Sequence, residues 1–581
     1  MNMLHSQRMR RAEPEIDPLR LGTGWTRSDL ERPWLLAESV GGDSHPGSVH
    51  LDELEEEAKR GAAAAGCVLA RYRCTDICDG IAQGTPAMSY SLPSREVIAA
   101  AAEMHARAGH FDGVLFISGC DKAVPGHLLA AARLDLPAVF VPGGLMGTGP
   151  GELTLERVAT LHSRWRQGLL AEADYEAQRE LACPGCGSCA FLGTAATGQL
   201  LLEAMGLALP GSALVPGASA AARQMTRAAA GALARLVRTG VGVRRILTHR
   251  SLENALVLHA AIGGSTNYLL HLPALAEELG LSFDWERVQA INDATPQLAL
   301  VRPNGEVPAN LLWHAGGAPA LLWELRELLH LDCLTVTGRS LGENLEELAK
   351  SGWLERQASY LEGTGHRREE FLRSRSDPFR PQGGLAVLHG NLAPGGAVIK
   401  RSSVAQGREV FRGPARVFDG QDPAREAVFA GRIRPGDVVV IRYEGPRADG
   451  MPEQFYVTEA ISSRADLNDS VALVTDGRFS GASRGPNVGH VSPEAALGGP
   501  LAVLEEGDEV LVDLVRRRLD LVGSSGKPLS AREAQSLLDG RLAAWRPPKP
   551  RYRHGLLAIY TALALPAHRG GGMAAPERGD G

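Results

Sequence analysis

Asp112-Gly-Val-Leu-Phe-Ile-Ser118, the run from His127 to Leu134, and Pro137-Ala-Val-Phe-Val141 together decide the fold. The first and third segments are short, unbroken apolar runs bounded by turn residues, as buried strands are, and the middle one has helical spacing. Strand, helix, strand in that order is a βαβ unit, which needs a crossover and therefore a largely parallel sheet covered by helices. Outward from it, apolar strands alternate with helices from about 51 to 345, with amphipathic helices expected over 96–107, 197–205 and 218–239. Residues 356–382 are polar, with Gly, Arg, Ser and Pro clusters, and read as a linker. Beyond them, short strands such as Asp437-Val-Val-Val-Ile-Arg-Tyr443 and Val471-Ala-Leu-Val-Thr475 are separated by glycine-rich turns. The expected organisation is an α/β N-terminal domain over 1–375 with a flexible first 20 residues, a mainly β domain over 376–568, and a disordered tail over 569–581.

A chain of 581 residues is too long for one ordinary core, which agrees with that division. A net charge of −6 gives no reason to expect nucleic acid or an anionic membrane as partner. The first 21 residues are rich in Arg and Glu and lack the apolar core of a secretion signal. No stretch approaches the roughly 18 apolar residues of a membrane span, so a cytoplasmic location is expected.

Eight cysteines in such a chain point to free thiols, metal ligands or catalysis rather than a disulfide scaffold. Cys67 and Cys333 lie in apolar or helix-like contexts and read as packing residues. The others lie between Cys74 and Cys189, mostly beside Gly, Pro or Asp. Cys78 sits in Asp76-Ile-Cys-Asp-Gly80, Cys120 in Ser118-Gly-Cys-Asp-Lys122, and Cys189 in Cys183-Pro-Gly-Cys-Gly-Ser-Cys-Ala-Phe-Leu-Gly-Thr194. Cys120 follows the strand at 112–118, and ligands of open α/β sheets gather beyond strand carboxyl ends. Three readings stand side by side: cysteines that merely fit tight loops, a structural zinc on Cys183, Cys186 and Cys189, or an iron–sulfur cluster on three separated thiolates. Spacing does not choose among them.

Asp79 follows Cys78 and Asp121 follows Cys120. Carboxylates suit Mg²⁺ and thiolates suit iron, so these pairs could hold two metals side by side. Lys122 is one of six lysines among 61 basic residues. Its retention hints at a role arginine cannot fill: an amine takes up carbon dioxide to become an anionic carbamate ligand. An ordinary salt-bridging lysine is the alternative. His259 and His271 flank Gly263-Gly-Ser-Thr-Asn267 and read as structural or orienting residues, and Gly147-Thr-Gly-Pro-Gly151 could cradle an anion. No phosphate-binding Gly-x-x-x-x-Gly-Lys-Ser/Thr loop occurs, so nucleotide hydrolysis has no support.

Taken together, Cys78-Asp-Gly-Ile, Tyr90-Ser-Leu-Pro-Ser-Arg95, Gly119-Cys-Asp-Lys-Ala-Val-Pro125, Gly187-Ser-Cys-Ala-Phe-Leu-Gly-Thr-Ala195 and Gly263-Gly-Ser-Thr-Asn267 form an ordered series. It continues in Gly390-Asn-Leu-Ala-Pro394, Tyr443-Glu-Gly-Pro446, Gly450-Met-Pro-Glu453, Asp476-Gly-Arg-Phe-Ser-Gly481 and Ser492-Pro-Glu-Ala495. Over roughly residues 20 to 545 the chain resembles the family of dihydroxy-acid dehydratase and 6-phosphogluconate dehydratase, which also contains the sugar-acid dehydratases. The resemblance implies a β-barrel-like second domain, a homodimer or dimer of dimers, and a site between the domains. It also implies a hydro-lyase that dehydrates a 2,3-dihydroxy acid to a 2-keto acid. Carried over residue by residue, Cys78, Cys120 and Cys189 become iron–sulfur ligands. Asp79, Asp121, a carbamylated Lys122 and Glu453 become Mg²⁺ ligands, and Ser480 the base that takes the C2 proton. A serine would need its alkoxide stabilised by metal charge or by the N–H groups of Gly481 and Ala482.

One departure bears on the cluster. Two-iron members carry a cysteine in a Thr-Pro-Cys-Asn motif, where this chain has Gly47 in His45-Pro-Gly-Ser-Val-His50. Cys78 compensates as in the 6-phosphogluconate-dehydratase-like branch, which favours [4Fe-4S] over [2Fe-2S]. Ala190-Phe-Leu-Gly-Thr-Ala195 and Gly22-Thr-Gly-Trp25 resemble sugar-acid dehydratases, so a non-phosphorylated aldonate such as xylonate or gluconate is the expected substrate. The alternative is the branched-chain precursor 2,3-dihydroxyisovalerate, and an alternative of another class is a non-catalytic, metal-stabilised binding protein.

Overall fold

The computed structural model describes residues 3–74, 76–405, 407–481, 483 and 485–575. The βαβ unit at 112–141 forms as read. Strands β1 (Trp34–Ser39), β2 (Val68–Arg73), β3 (Gly113–Ser118) and β4 (Ala138–Pro142) make one sheet in the order β2-β1-β3-β4, parallel throughout. Every residue of β1, β3 and β4 is buried, which is why these strands are largely apolar rather than alternating, with Glu38 and Ser39 at the end of β1 the buried polar exceptions beside Ser118 of β3. The crossover helix Ala123–Leu134 joins β3 to β4, and the Phe116 and Phe140 rings of those strands meet at 5.0 Å.

The expected flexible leader is instead folded. Helices His5–Ala12 and Ile16–Gly22 precede the sheet, and the Asp112 carboxylate accepts hydrogen bonds from the Ser6 amide and hydroxyl and from the Trp34 amide. The linker is also partly helical, since Trp353–Glu362 forms a helix before the chain turns irregular.

The second sheet contains β5 (Leu385–Leu388), β6 (Ala397–Lys400), β7 (Val410–Asp419), β8 (Val438–Arg442), β9 (Ala472–Thr475), β10 (Asn487–Gly489), β11 (Glu509–Asp513), β12 (Arg518–Ser524) and β13 (Lys527–Pro528). Their order is β13-β12-β11-β7-β8-β9-β10-β6-β5. The run β7-β8-β9-β10 is parallel and its flanks are antiparallel. The sheet curls on itself: His389, just past β5, bridges to Arg518 of β12, and the Leu519 amide donates to the His389 carbonyl. This curled half-barrel is the barrel-like domain expected. Side chains of β5 and β6 alternate, Leu385, Val387 and Val398 joining the first domain's core and Ala386, Leu388 and Ile399 the second's. The strands thereby fasten the two domains together.

The chain then returns to the first domain. Tyr560, on the helix Gly555–Leu563, packs with Leu92, Leu270 and Met451, and the carbonyl of Gly570 accepts from Arg95 at 3.0 Å. The expectation of a disordered tail is thus corrected for residues 569–575, while 576–581 lie outside the described residues. A Cβ at Gly570 would lie 2.4 Å from the Ala274 amide nitrogen, so glycine serves close packing here rather than disorder. Among the described residues, no helix is long and apolar enough to cross a membrane.

Candidate active site

The three cysteines arrive on loops that leave the same end of the first sheet. Cys120 lies two residues past β3, Cys78 caps the short helix Asp79–Ala82 after β2, and Cys189 precedes the helix Thr194–Ala204. All three line one cavity of about 640 Å³, together with Asp79, Asp121, Glu453 and Ser480. The Cys120 thiol donates to the Cys78 sulfur, which holds the Cys78 thiol down to about 6 against the opposing effect of burial. Burial pushes the Cys189 thiol well up. Buried Asp76 supports this group, accepting from the Cys120 amide at 3.2 Å and pairing with His45 Nε2 at 3.0 Å. A Cβ built on Gly47 would lie 3.1 Å from the Cys120 Cβ. Position 47 therefore borders the same locus that Cys78 reaches from a different loop. Cys67 belongs to the first core, and Cys74, Cys183, Cys186 and Cys333 are half-buried and do not line the cavity.

Asp79, Asp121 and Glu453 each place a carboxylate oxygen within 4.8 Å of the other two. Each carboxylate is oriented by hydrogen bonds, Asp121 and Glu453 through one oxygen and Asp79 through both. Asp121 Oδ1 accepts from the Ala195 amide at 3.0 Å, at the start of a helix. Asp79 Oδ1 accepts from Ser91 Oγ at 2.6 Å, while Lys122 Nζ, fully buried, reaches Asp79 Oδ2 at 2.6 Å. Glu453 Oε1 accepts from Asn267 Nδ2 at 2.6 Å and from Arg478 Nη1. Arg478 is completely buried; it also donates to the Met451 carbonyl at 2.7 Å and to Ser91 Oγ at 2.8 Å. It thus spans from the second domain's Glu453 to the first domain's Asp79.

The electrostatics follow from this crowding. Burial and the neighbouring Asp79 charge push Asp121 up to about 8. Burial also favours protonated Asp79, but Lys122 and Arg478 outweigh it and hold Asp79 below the ordinary carboxylate range. Three hard oxygens facing one another suit a divalent cation such as Mg²⁺, and the three thiols beside them, Cys120 buried and Cys78 and Cys189 half-buried, suit iron. The donor set fits both groups.

Ser480 lines the cavity on the turn that follows Arg478, with its carbonyl accepting from the Ser483 amide at 3.0 Å. A Cβ on Gly481 would sit 2.9 Å from the Gly193 Cα, so glycine lets the serine turn press against the Cys189 loop. Ala482, expected as an N–H donor, lies outside the described residues. The Gly263–Asn267 loop joins these parts: Ser265 Oγ lies 3.1 Å from Thr194 Oγ1, and Asn267 Nδ2 donates to Thr194 Oγ1 at 2.9 Å. His259 Nε2 holds the Ser265 carbonyl at 2.8 Å and His271 Nδ1 meets Arg95 at 3.1 Å, both in structural positions. The Gly147–Gly151 loop does not line the cavity. Sequence reasoning assigned no role to Arg478, Asn267, Asp76 or His45, although each stands inside or beside a quoted motif.

Comparison with known proteins agrees with this arrangement. Residues 32–344 match the family model described as Dihydroxy-acid/6-phosphogluconate dehydratase N-terminal, and residues 370–571 match its C-terminal counterpart. A dihydroxy-acid dehydratase of Acetivibrio thermocellus is 41% identical over 553 residues, 94% of this chain and 95% of that protein. One from Ignicoccus hospitalis is 42% identical over 570 residues, 96% of this chain and 98% of that protein. One from Methanothrix thermoacetophila is 40% identical over 552 residues, 94% and 95% of the two chains. With both halves matched in order and the thiols and carboxylates of both domains gathered at one cavity, the chain belongs to the dihydroxy-acid/6-phosphogluconate dehydratase family of hydro-lyases.

Proposed function

We propose that this chain dehydrates a short, branched 2,3-dihydroxy acid, 2,3-dihydroxyisovalerate, to its 2-keto acid. The sugar-acid preference expected from Phe191–Ala195 has less support, because the relatives compared over nearly the whole chain are named dihydroxy-acid dehydratase. One structural observation carries the reading: the cavity that holds the thiols and carboxylates is also lined by Leu155, Val158, Ala159, Phe191 and Phe455, with His162, Arg166 and Arg425 among its polar residues. Such a wall receives an alkyl tail, whereas extra hydroxyls buried there would need hydrogen-bond partners. Family membership supports a hydro-lyase over a non-catalytic binding protein.

Cys78, Cys120 and Cys189 are the residues that would hold an iron–sulfur cluster, and Asp79, Asp121 and Glu453, with Lys122 as a carbamate, those that would hold Mg²⁺. These groups, when bound, supply Lewis acidity toward the substrate's hydroxyl and carboxylate oxygens. Carbamylation would exchange the ammonium that now neutralises Asp79 for an anionic oxygen ligand. The protein's own part is placement. Arg478 and Asn267 fix Glu453, the Ala195 amide fixes Asp121, and the apolar wall seats the tail so that C2 faces Ser480. Ser480, as its alkoxide, takes the C2 proton while the C3–O bond breaks and the hydroxyl leaves with that electron pair, and the resulting enol tautomerises to the 2-keto acid; the serine turn is pressed on Gly193 at the cavity wall.

The test is turnover by anaerobically prepared protein loaded with iron, sulfide and Mg²⁺, reading 2-keto acid from 2,3-dihydroxyisovalerate, xylonate, gluconate and galactonate. Dihydroxyisovalerate should lead in kcat/KM by at least about tenfold. A sugar acid in first place overturns the proposal.

A further inference from the structure

We infer that the helix Leu155–Arg166 is the specificity element of this site, with Val158 and Ala159 as the residues that select the substrate's tail. The inference rests on the function proposed above, for it names which residues read the substrate. Leu155, Val158, Ala159, His162 and Arg166 all line the cavity. Their spacing puts them on one face of the helix. That face changes character along its length. Its first turns are apolar and its last carries His162 and Arg166.

The apolar end is the one beside the reacting centre. A Cβ built on Gly80 would lie 3.4 Å from Leu155 Cδ2 and 3.6 Å from the Cys78 sulfur, so Leu155 stands next to the thiol group. The helix start is anchored there. Thr154 Oγ1 donates to Glu156 Oε1 at 2.6 Å and accepts from Arg302 Nη1 at 3.1 Å, and Glu156 is buried. From Leu155 to Ala159 the helix advances about 6 Å at 1.5 Å per residue, comparable to the reach of a five-carbon acid. A substrate whose carboxylate and C2 lie at the carboxylate triad therefore meets Val158 and Ala159 with its tail. Phe455, on the helix Phe455–Ser462, lines the same cavity from the second domain.

The test is the double variant Val158→Thr with Ala159→Ser, which adds two hydroxyls at nearly unchanged volume. Arg164→Ala, on the exposed outer face of the same helix, is the control. The kcat/KM ratio of dihydroxyisovalerate to xylonate should fall at least tenfold in the double variant, through KM rather than kcat, and stay within twofold of wild type in Arg164→Ala. Iron content and melting temperature should match wild type in both. A double-variant ratio within twofold of wild type, or an equal change in the control, overturns the inference. Wild-type preference for xylonate would overturn the proposed substrate alone, because the change in ratio reads the helix either way. Should one acid alone be turned over, a KM for it unchanged in the double variant overturns the inference.

Discussion

Arg478→Met is the most demanding test of how the two halves of the site are joined. Methionine keeps much of the side-chain volume and removes the guanidinium. The lost bonds are those to the Met451 carbonyl, Glu453 Oε1 and Ser91 Oγ, all buried. Glu453 is left with Asn267 as its remaining donor in this set, and Asp79 loses a positive neighbour 3.9 Å away. Removing one partner of a buried ion pair destabilises by about 3–5 kcal/mol. For a unit of 150–250 residues each kcal/mol is worth about 2–4 °C, so melting should fall by roughly 6–20 °C. Arg412→Met gives the contrast, since its pair with Glu509 is 51% and 36% exposed and such pairs contribute about 0–1 kcal/mol. Thermal unfolding followed by circular dichroism, with and without Mg²⁺, reads both variants, and added Mg²⁺ should narrow the Arg478→Met deficit by resupplying positive charge. If Arg478→Met melts within about 3 °C of wild type, the guanidinium is not the strut described.

Single Cys→Ser changes at 78, 120 and 189 should each lower bound iron and bleach the visible absorbance of anaerobic protein, while the same change at buried Cys67 should not; unchanged iron in any of the three removes it from the ligand set. Lys122→Arg should keep the fold and iron but weaken Mg²⁺ binding at least tenfold by calorimetry, and full Mg²⁺ affinity would end the carbamate proposal. Ser480→Ala should retain metals and substrate binding yet lose kcat by about 10³ or more, whereas a loss of a few fold assigns the C2 proton to another group. Glu203, whose carboxylate accepts from the Gly211 and Ala213 amides, is pushed up to about 8 by burial. The folded state therefore holds a proton that the unfolded state has released between about pH 4.5 and 8, and stability falls as pH rises through that window. Glu203→Gln removes this dependence, so its melting temperature relative to wild type should improve from pH 5 to pH 8; a constant difference would contradict the sign.

The readable part of the fold was the part built from local pattern. The strands at 112–118 and 137–141 are buried on both faces, and that is what makes them unbroken apolar runs. The curl of the second sheet depends on contacts such as Asn391 with Leu521, 130 residues apart, which no local period records. The same division holds at the site. Cys78-Asp79 and Cys120-Asp121 declare themselves because a thiol and a carboxylate stand side by side. Arg478 and Asn267 look like ordinary motif residues until their partners, 387 and 186 positions away, are known. Composition misled at 569–575, where glycine serves close backbone packing against the helix carrying Ala274.

The strut between Ser91 and Arg478 also sets an order of events during synthesis. The two residues are 387 positions apart, so at about 5–20 residues per second the ribosome needs roughly 20–80 s to deliver the second after the first. From the completion of Cys189 until Glu453 is added, 264 residues later, Cys78, Cys120 and Cys189 are all made, while Glu453 and the serine turn that wall one side of their cavity do not yet exist. The nascent first domain thus offers its thiols on an open face. Any assembly factor that must reach them has its widest access before the second half of the chain folds over the site.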